Sequence, residues 1–400
     1  MDAIVGNTLY GDMGTWTSSS TISYARQWLR NGVPISGAIT KNYQVVKNDI
    51  GYQISQMVTA TNAVGSTIAY SLPTAAVVPI PVAPKSGTYV PLPQFFASTS
   101  FWNTKIPVDA PLHANNANFV TEFLRQKAAY YGTVNINVGQ FSLPIYIAPV
   151  GTPLIKVTNL DLKTGTSYGP LQVQIDQVPW PEWAIPSADN TLGTGDREII
   201  IYSPSLDTMW EFWIARRELD GTWTCAWGGR ITNVSTDDGI VTNPFGVLAC
   251  GVAAAGGLIK LEEIQAGVIP HGLGIALVDV EHFTTFSWPA NRSDGYNPTN
   301  VPNRIAEGQR FRLNPAVNVS TLPMNANGKI IAKAIQDYGC VVWDKGGAIA
   351  LRAVDPKSYA QCGISNPYSA VDPSGNFGGS MTGFPWDQIQ FLPMDYGRGN

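Results

Sequence analysis

The chain has 400 residues, of which only 14% are charged, and it contains 39 glycines and 29 prolines. Few charges and many turn-forming residues favour β-sandwich or jelly-roll domains over helical bundles, and the length favours two or three domains. The formal net charge of −4 argues against binding to a nucleic-acid backbone, which requires a basic surface.

The four cysteines, Cys225, Cys250, Cys340 and Cys362, are widely spaced and form no C-x-x-C pair. This spacing predicts free thiols rather than a zinc knuckle. The first residues, MDAIVGNTLYGD, lack the basic and apolar regions of a signal peptide, and no apolar run reaches membrane-spanning length. We therefore expect a chain without a membrane span that does not leave the cytoplasm by the usual export route.

Residues 1–75 predict a small β domain. A strand is expected around Trp28, followed by a turn at Asn31-Gly32 and a second short strand at residues 33–35. Two further alternating runs are separated by the segment Asp49-Ile50-Gly51. The pattern is that of short strands joined by tight turns.

This domain resembles the bacterial immunoglobulin-like modules that are common on phage virions and cell surfaces. The resemblance is carried by Trp28, the hairpin RNGVPISGA, Tyr43, the corner Asp49-x-Gly51 and the run VTATNAVGS. It implies an immunoglobulin-like β-sandwich. The domain has no cysteine, so Trp28 cannot pack on the inter-sheet disulfide found in antibody domains.

Residues 76–95, AVVPIPVAPKSGTYVPLPQF, are rich in proline and valine and predict an extended, semi-rigid linker. Residues 96–400 then predict one large β-rich domain with a few helices. Helices are expected over residues 115–132, with Phe119, Phe123, Leu124 and Ala128 on one face, and over residues 327–339, with Ile330, Ile331, Ala334, Ile335 and Tyr338 buried.

Strands of the large domain are expected wherever apolar residues alternate or form short runs. The segment GPLQVQIDQVPW alternates cleanly, REIIIYSP and MWEFWIARREL predict neighbouring strands, and GTWTCAWGGRI predicts a third. The segment GCVVWDKGGAIALRAV predicts a hairpin that turns at Lys345-Gly346-Gly347.

The stretch IPHGLGIALVDVEHFTTFSWPANRSDG, residues 269–295, contains two of the three histidines. Its alternating faces are both mostly apolar, which predicts a central strand buried on both sides, with small residues that let another layer approach. His271 at its start is either a buried structural histidine or a functional group in a cleft. Arg292 and Asp294 predict a turn held by an ion pair or an Asx turn, and both are also candidates for glycan binding.

Several tryptophans are candidates for sugar stacking. Trp223 and Trp227 are expected on the same face of one strand, where they form either core or a flat platform for a sugar ring. Trp180 and Trp183 flank Glu182 in a proline-rich loop, which predicts either an exposed binding surface or a packing interface.

A glycosidase requires two carboxyl groups that face each other across a cleft, about 5–10 Å apart. The candidates are Asp176, Glu182, Asp196, Glu211, Asp237, Asp238, Asp294 and Asp344. Nothing local in the sequence selects a pair. The segment Asp237-Asp238-Gly239 predicts a turn or, alternatively, part of a structural Ca²⁺ site. No other metal motif, nucleotide-binding loop or serine-nucleophile motif is present, so no cofactor is expected.

Six blocks within residues 96–355 resemble a family of β-rich bacterial and phage-encoded proteins that has no settled activity. The blocks are FWNTKIPVDAPLHANNANFV, TCAWGGRI, IPHGLGIALVDV, SWPANRSDG, EGQRFRLNP and AIQDYGCVVWDKGGAIALRA. The resemblance implies a carbohydrate-directed, jelly-roll-like domain but supplies no mechanism.

These features together predict a phage virion protein, a fibre, spike or decoration component. Its N-terminal domain would contact other virion proteins, and its large domain would bind a glycan on the host surface. Release of the virion by cell lysis would explain how a protein with extracellular-type modules leaves the cell without a signal peptide. A homo-oligomer is expected, because several weak glycan sites on one particle bind with higher avidity than one site. The alternatives are a virion-associated polysaccharide-degrading enzyme, either glycosidase or lyase, and a protein that only packs against other virion proteins.

Overall fold

A computed structural model describes residues 3–5, 7–77, 90–139, 141–160, 167–187, 195–218, 220–360, 362–364, 367–372 and 374–399. Most of the linker that the sequence predicts at residues 76–95 lies outside these ranges. The described residues form two compact units, one comprising the residues up to 77 together with residue 195, and the other comprising the rest.

The first unit is built from six strands. They are β1 (Thr8–Tyr10), β2 (Ser23–Arg30), β3 (Val33–Pro34), β4 (Asn42–Gln44), β5 (Ile54–Thr61) and β6 (Ser66–Tyr70), with a 3-10 helix at Lys47–Asp49. Strands β3, β2, β5 and β6 form an antiparallel sheet in that order, and β1 pairs with β4. The predicted strand around Trp28 and the turn that follows it are confirmed.

Trp28 and Asp49 organise the core of this first unit. Trp28 is buried and packs against the Tyr43 ring, with 5.7 Å between the ring centroids. The Asp49 carboxylate is also buried and accepts hydrogen bonds from Arg30 Nε (2.7 Å) and from the Tyr43 hydroxyl (2.9 Å). Burial and the Asp49 carboxylate raise the pKa of Tyr43 to about 12. The Trp28 ring therefore packs on a tyrosine whose hydroxyl is held by the buried Asp49–Arg30 ion pair, and not on a disulfide.

Among the described residues, six α-helices and the remaining strands belong to the second unit. The helices are α1 (Asn116–Ala129), α2 (Gly169–Ile175), α3 (Leu261–Ala266), α4 (Ala326–Asp337), α5 (Lys357–Ala360) and α6 (Pro367–Val371). The strands are β7 (Asn135–Asn137), β8 (Ile145–Ile147), β9 (Leu154–Ile155), β10 (Val157–Asn159), β11 (Val178–Pro179), β12 (Ile199–Ser203), β13 (Thr208–Trp213), β14 (Arg216–Arg217), β15 (Trp223–Cys225), β16 (Trp227–Thr232), β17 (Leu273–Leu277), β18 (Arg310–Leu313), β19 (Cys340–Lys345), β20 (Ala350–Arg352) and β21 (Ile389–Phe391).

Two sheets dominate this second unit. One has six strands in the order β21-β18-β19-β17-β20-β7, and the other has four in the order β16-β13-β12-β8. Both are mixed, because β17–β19, β20–β7 and β12–β8 are parallel pairs. With 26% of residues in strands and 17% in helices, the predicted mainly β fold with a few short helices is confirmed, and no described sheet closes into a barrel.

The predicted strand over residues 169–180 is wrong for most of its length. Residues Gly169–Ile175 form helix α2, with Pro170 in its first turn, and only Val178–Pro179 is a strand. Leu171 and Ile175, four residues apart, are buried, whereas Val173 is 70% exposed. Apolar residues at positions 171, 173 and 175 fit a strand, but they also fit a short helix in which residues 171 and 175 are buried and residue 173 faces solvent.

The predicted hairpin at residues 345–347 is also wrong. Strands β19 and β20 both pair with β17, which lies between them in the sheet. All five residues of β17 are buried, so the prediction of a central strand buried on both sides is confirmed for Leu273–Leu277. The strand that separates β19 from β20 comes from more than sixty residues earlier, and no local turn pattern can reveal it.

Both predicted long helices are present, as α1 and α4. In α1, Phe119 and Phe123 are buried as expected, but Ala128 is exposed and Gln126 is buried instead. In α4, Ile331, Ala334 and Ile335 are buried, while Ile330 and Tyr338 are only half-buried.

The thiols of Cys225, Cys250 and Cys340 are buried and unpaired, as predicted. No helix in the described ranges combines the length and apolar character that crossing a membrane would need.

Candidate functional site

An open cleft of about 850 Å³ lies in the second unit, between the six-stranded sheet and the start of β12. Its polar lining residues come from five separate segments of the chain. Strand β7 contributes Asn135 and Asn137, the residues just before β12 contribute Asp196 and Glu198, and a loop contributes Asp294. Strand β19 contributes Asp344 and Lys345, and strand β20 contributes Arg352. Aromatic rings of Tyr131, Phe141 and Trp213 also line it.

Three carboxyl groups converge at this cleft. One carboxylate oxygen from each of Asp294, Glu307 and Asp344 lies within 4.8 Å of those from the other two. Asp294 is exposed, Asp344 is 19% exposed, and Glu307 is completely buried. We call these three residues the carboxyl cluster.

A bulge in β19 aims Asp344 at the cleft. Ile275 pairs with Val342 and the next residue, Ala276, pairs with Asp344, so Trp343 is the extra residue. The Trp343 ring packs directly on Gly274, where a Cβ would lie 1.9 Å from a ring atom. Bulges reverse the alternation of side chains and often occur beside active sites. The glycine in β17 and the bulge in β19 thus bury the tryptophan and direct the aspartate outward.

Arg352 is the main counter-charge to the carboxyl cluster. Its Nη2 atom donates to Asp344 Oδ2 at 2.7 Å, its Nη1 atom lies 3.5 Å from Glu198 Oε2, and its guanidinium stacks on the Trp343 ring. Burial raises the pKa of Asp344, Arg352 lowers it, and the charges of Asp294 and Asp196 raise it again, to about 6. Asp344 therefore retains its proton at a higher pH than an ordinary aspartate.

Within the described residues Glu307 forms no ion pair, although the charge of Arg292 acts on it from a greater distance. Neither of its carboxylate oxygens has a partner with acceptable hydrogen-bond geometry among the described groups, although the nearby Ser293 hydroxyl offsets part of the rise in its pKa. Burial and the carboxyl groups of Asp294 and Asp344 raise the pKa of Glu307 to about 9. A buried carboxyl group in this environment keeps its proton at neutral pH.

The opposite wall of the cleft is formed by Asp196, Glu198 and Trp213. The Trp213 indole Nε1 donates to Asp196 Oδ1 at 3.0 Å, which fixes that carboxylate beside the ring. The Arg352 guanidinium contacts Glu198 on this wall and Asp344 on the other, so it connects the two walls of the cleft. The cleft therefore combines several acidic groups, one shared cation and an aromatic surface.

The carboxyl cluster is also the place where the described part of the chain offers three metal-ligand side chains close together. Carboxylate oxygens are the ligands that Ca²⁺ and Mg²⁺ prefer. The segment at Asp237 and Asp238 is instead a turn, because Asp237 Oδ1 accepts from Gly239 N (2.7 Å) and Asp238 Oδ1 accepts from Ile240 N (3.0 Å).

Of the seven glycan-binding candidates from the sequence, Asp294 lines the cleft and the four tryptophans do not. Trp223 and Trp227 were expected on one strand face, but they lie on different strands, β15 and β16, which break at Ala226. Trp223 packs against buried Trp180 with ring centroids 4.1 Å apart.

The other two tryptophans lie against the core. Trp227 stacks on Tyr168 with ring centroids 5.6 Å apart, and Trp183 is half-buried against the core. Of the two alternatives for Trp223 and Trp227, core or sugar platform, the contacts are those of core residues.

His271 has a structural environment. It is 2% exposed, its Nε2 atom lies 2.9 Å from Glu263 Oε1, and its Nδ1 atom donates to Gly272 O at 2.7 Å. Lys260 Nζ contacts the same Glu263 oxygen at 2.7 Å. The histidine thus completes a buried group of paired polar side chains outside the cleft.

Of the two alternatives for Arg292 and Asp294, an ion pair or an Asx turn, the ion pair is not formed. Arg292 donates instead to the backbone carbonyls of Phe245 (2.5 Å) and Leu248 (2.8 Å), and the Asp294 carboxylate faces the carboxyl cluster. The sequence alone did not identify Glu307 as a candidate. Its only local signal is a single acid between Ala306 and Gly308, ahead of a strand.

Comparisons with protein-family models, with curated proteins and with solved structures find no match to this chain.

Proposed function

We propose that the second unit cleaves a polysaccharide of the host surface in this cleft, as a retaining glycosidase. The observation that carries the proposal is the pair of carboxyl groups, Asp294 and Asp344, whose nearest oxygens are at most 4.8 Å apart at an open cleft, a spacing below the range of inverting enzymes. Retaining glycosidases place their two carboxyl groups about 5–5.5 Å apart, whereas inverting enzymes leave about 6.5–9.5 Å for a water molecule.

Asp344 is the general acid of this proposal. Its pKa of about 6 keeps about a tenth of the molecules protonated at pH 7 and about half at pH 6, far more than for an ordinary aspartate, and a proton donor to the glycosidic oxygen requires this protonated form. The Arg352 guanidinium fixes the orientation of the carboxyl group. It also stabilises the carboxylate that remains after the proton has been transferred.

Asp294 is the nucleophile. It is exposed to the cleft, and the buried Glu307 carboxyl group lies behind it, with one oxygen within 4.8 Å of an Asp294 oxygen. Glu307 is buried and cannot touch a substrate, so it acts as a positioning residue.

The reaction then has two balanced steps. An Asp294 oxygen bonds to the anomeric carbon while Asp344 gives its proton to the departing glycosidic oxygen. In the second step Asp344 takes a proton from water, and the resulting hydroxide displaces Asp294 from the anomeric carbon. The net change is hydrolysis with the anomeric configuration retained.

The place of action is proposed from the sequence. The sequence resemblance of residues 1–75 to immunoglobulin-like modules of phage virions, and of residues 96–355 to phage-encoded proteins, supports a virion component. In that arrangement the first unit contacts other virion proteins and the homo-oligomer multiplies weak glycan sites. Glycan binding without cleavage is the second candidate, favoured by the exposed aromatic rings Tyr131 and Phe141 at the cleft.

The test incubates the full chain with a panel of purified bacterial capsule and cell-wall polysaccharides. We expect new reducing ends with retained anomeric configuration by proton NMR. Asp344→Asn and Asp294→Asn should each lower the rate at least about 10²-fold while polysaccharide binding persists. The matched control, Asp387→Asn, changes an exposed aspartate outside the cleft.

If the chain binds a polysaccharide but releases no new reducing ends from any member of the panel, glycan binding without cleavage is the function that remains. Unsaturated products would indicate a lyase instead, and the absence of both binding and cleavage would contradict both candidates.

A further inference from the structure

Two exposed aromatic residues form a lip on the cleft. Tyr131 is 79% exposed and Phe141 is 42% exposed, and both line the cleft. Their φ angles of 65° and 55° lie in the left-handed region, which residues with a bulky side chain rarely adopt. Such backbone conformations cost free energy and concentrate at ligand-binding sites. Both rings line the cleft and are exposed, so both are accessible to a ligand there.

Strand β7 places two amides beside this lip. Asn135 and Asn137 lie on one face of the strand and line the cleft, while Ile136 between them is 3% exposed and points into the core. Each amide offers two donors and one acceptor, which suits sugar hydroxyl and acetamido groups. Ring faces and amides together are a common arrangement for binding a sugar.

The charge of the cleft constrains what it accepts. Four acidic residues line it, namely Asp196, Glu198, Asp294 and Asp344, and Glu307 lies behind them. Two cations, Lys345 and Arg352, also line it, and Arg352 is already engaged by Glu198 and Asp344. A sugar that carries a carboxylate or sulfate would meet uncompensated negative charge.

We propose that Tyr131, Phe141, Asn135 and Asn137 form a subsite for an uncharged or amino sugar. The substrate class of the proposed glycosidase is then a neutral or amino-sugar polysaccharide and excludes polyuronates and sulfated glycans. This inference rests on the proposed function for the cleavage step, but the subsite itself is defined by binding.

Binding is measured first, by calorimetry with the full-length chain carrying Asp344→Asn so that the ligand stays intact. The probes are tetrasaccharides of N-acetylglucosamine, of glucosamine and of galacturonic acid. We expect binding of the first two and at least about tenfold weaker binding of the third. Binding of the cationic glucosamine oligomer should weaken as salt is added, whereas binding of the neutral oligomer should not.

Substitutions in the lip then test the subsite. Tyr131→Ala and Phe141→Ala should each weaken binding about three- to tenfold, and Tyr131→Phe should preserve it because the ring face remains. Tyr296→Ala removes a ring that is 68% exposed outside the cleft and serves as the control. With an active chain, the lip variants should raise KM and leave kcat within about twofold.

Tighter binding of the galacturonate oligomer would overturn the substrate class. Unchanged binding by both alanine variants would overturn the subsite. Lip-dependent binding of the neutral oligomer without any cleavage would leave the subsite standing and reject the glycosidase, so the two failures are distinguishable.

Discussion

Glu263 and Glu307 are both buried carboxyl groups of the second unit, but their surroundings differ in charge. Glu263 contacts Lys260 at 2.7 Å and His271 at 2.9 Å. Burial alone would raise its pKa, yet those two neighbours hold the pKa at about 2. Glu307 has two carboxyl neighbours instead, and its pKa rises to about 9. A balanced buried group serves the fold, whereas an unbalanced one beside a cleft requires a proton and is available for chemistry.

The largest expected effect is on the balanced group. Glu263→Gln removes the charge that compensates Lys260, which is 2% exposed, and we expect the chain to lose about 3–5 kcal/mol of stability. Calorimetric unfolding at pH 7 measures the loss, with the exposed Glu182→Gln as the matched control. A wild-type-like unfolding temperature would show that the group of Lys260, Glu263 and His271 is not a structural unit.

The substitution Glu307→Gln should instead increase the stability of the chain at pH 8. The folded pKa of Glu307 lies above the unfolded value of 4.5, so the unfolded chain releases a proton that the folded chain keeps. Wild-type stability therefore falls as pH rises from about 4.5 towards 9. Glu307→Gln mimics the protonated form and should raise the unfolding temperature at pH 8 by a few degrees, at about 2–4 °C per kcal/mol.

At pH 4, where Glu307 is protonated in both the folded and the unfolded chain, Glu307→Gln and wild type should unfold at similar temperatures. A lower unfolding temperature of the variant at pH 8 would mean that an ionised Glu307 is stabilised by a group outside the carboxyl cluster.

The contrast between these two glutamates also shows what the sequence can reveal. The central strand β17 and the glycines on one of its faces follow from local alternation, and Gly274 does receive the Trp343 ring. The carboxyl cluster does not follow, because Asp294, Glu307 and Asp344 come from two loops and a bulged strand. The two aspartates were visible as acids, but only the tertiary arrangement selects them as a pair.

His271 was prominent in the sequence because it is one of three histidines and begins a strand-like run. Its partner Glu263 lies on α3, eight residues earlier, across a turn at Gly267. A rare residue type draws attention whether its role is structural or catalytic, and the deciding information is the charge around it.

A smaller effect is expected on the pH dependence of cleavage. If Asp344 is the general acid, kcat/KM should fall above about pH 6, where the acid loses its proton. Asp196 raises the pKa of Asp344 through its charge, so Asp196→Asn should move this limb to lower pH by a fraction of a unit. The asparagine oxygen can still accept from Trp213 Nε1. If Asp196→Asn leaves the pH at which kcat/KM falls unchanged, the titrating acid is a group other than Asp344. Asp387→Asn, the control, should not move this pH.

The smallest effect is expected from removing divalent cations. The repulsion within the carboxyl cluster can be relieved by a proton on Glu307 or by a bound cation, and oxygens within 4.8 Å of one another could accommodate either. Acid catalysis by Asp344 requires the proton, because a divalent cation would hold all three groups ionised. Dialysis against EDTA should therefore leave the cleavage rate within about twofold, and millimolar Ca²⁺ should not raise the unfolding temperature. A Ca²⁺-dependent rise that disappears in Glu307→Gln would replace the acid–base pair with a cation site built from the same three residues.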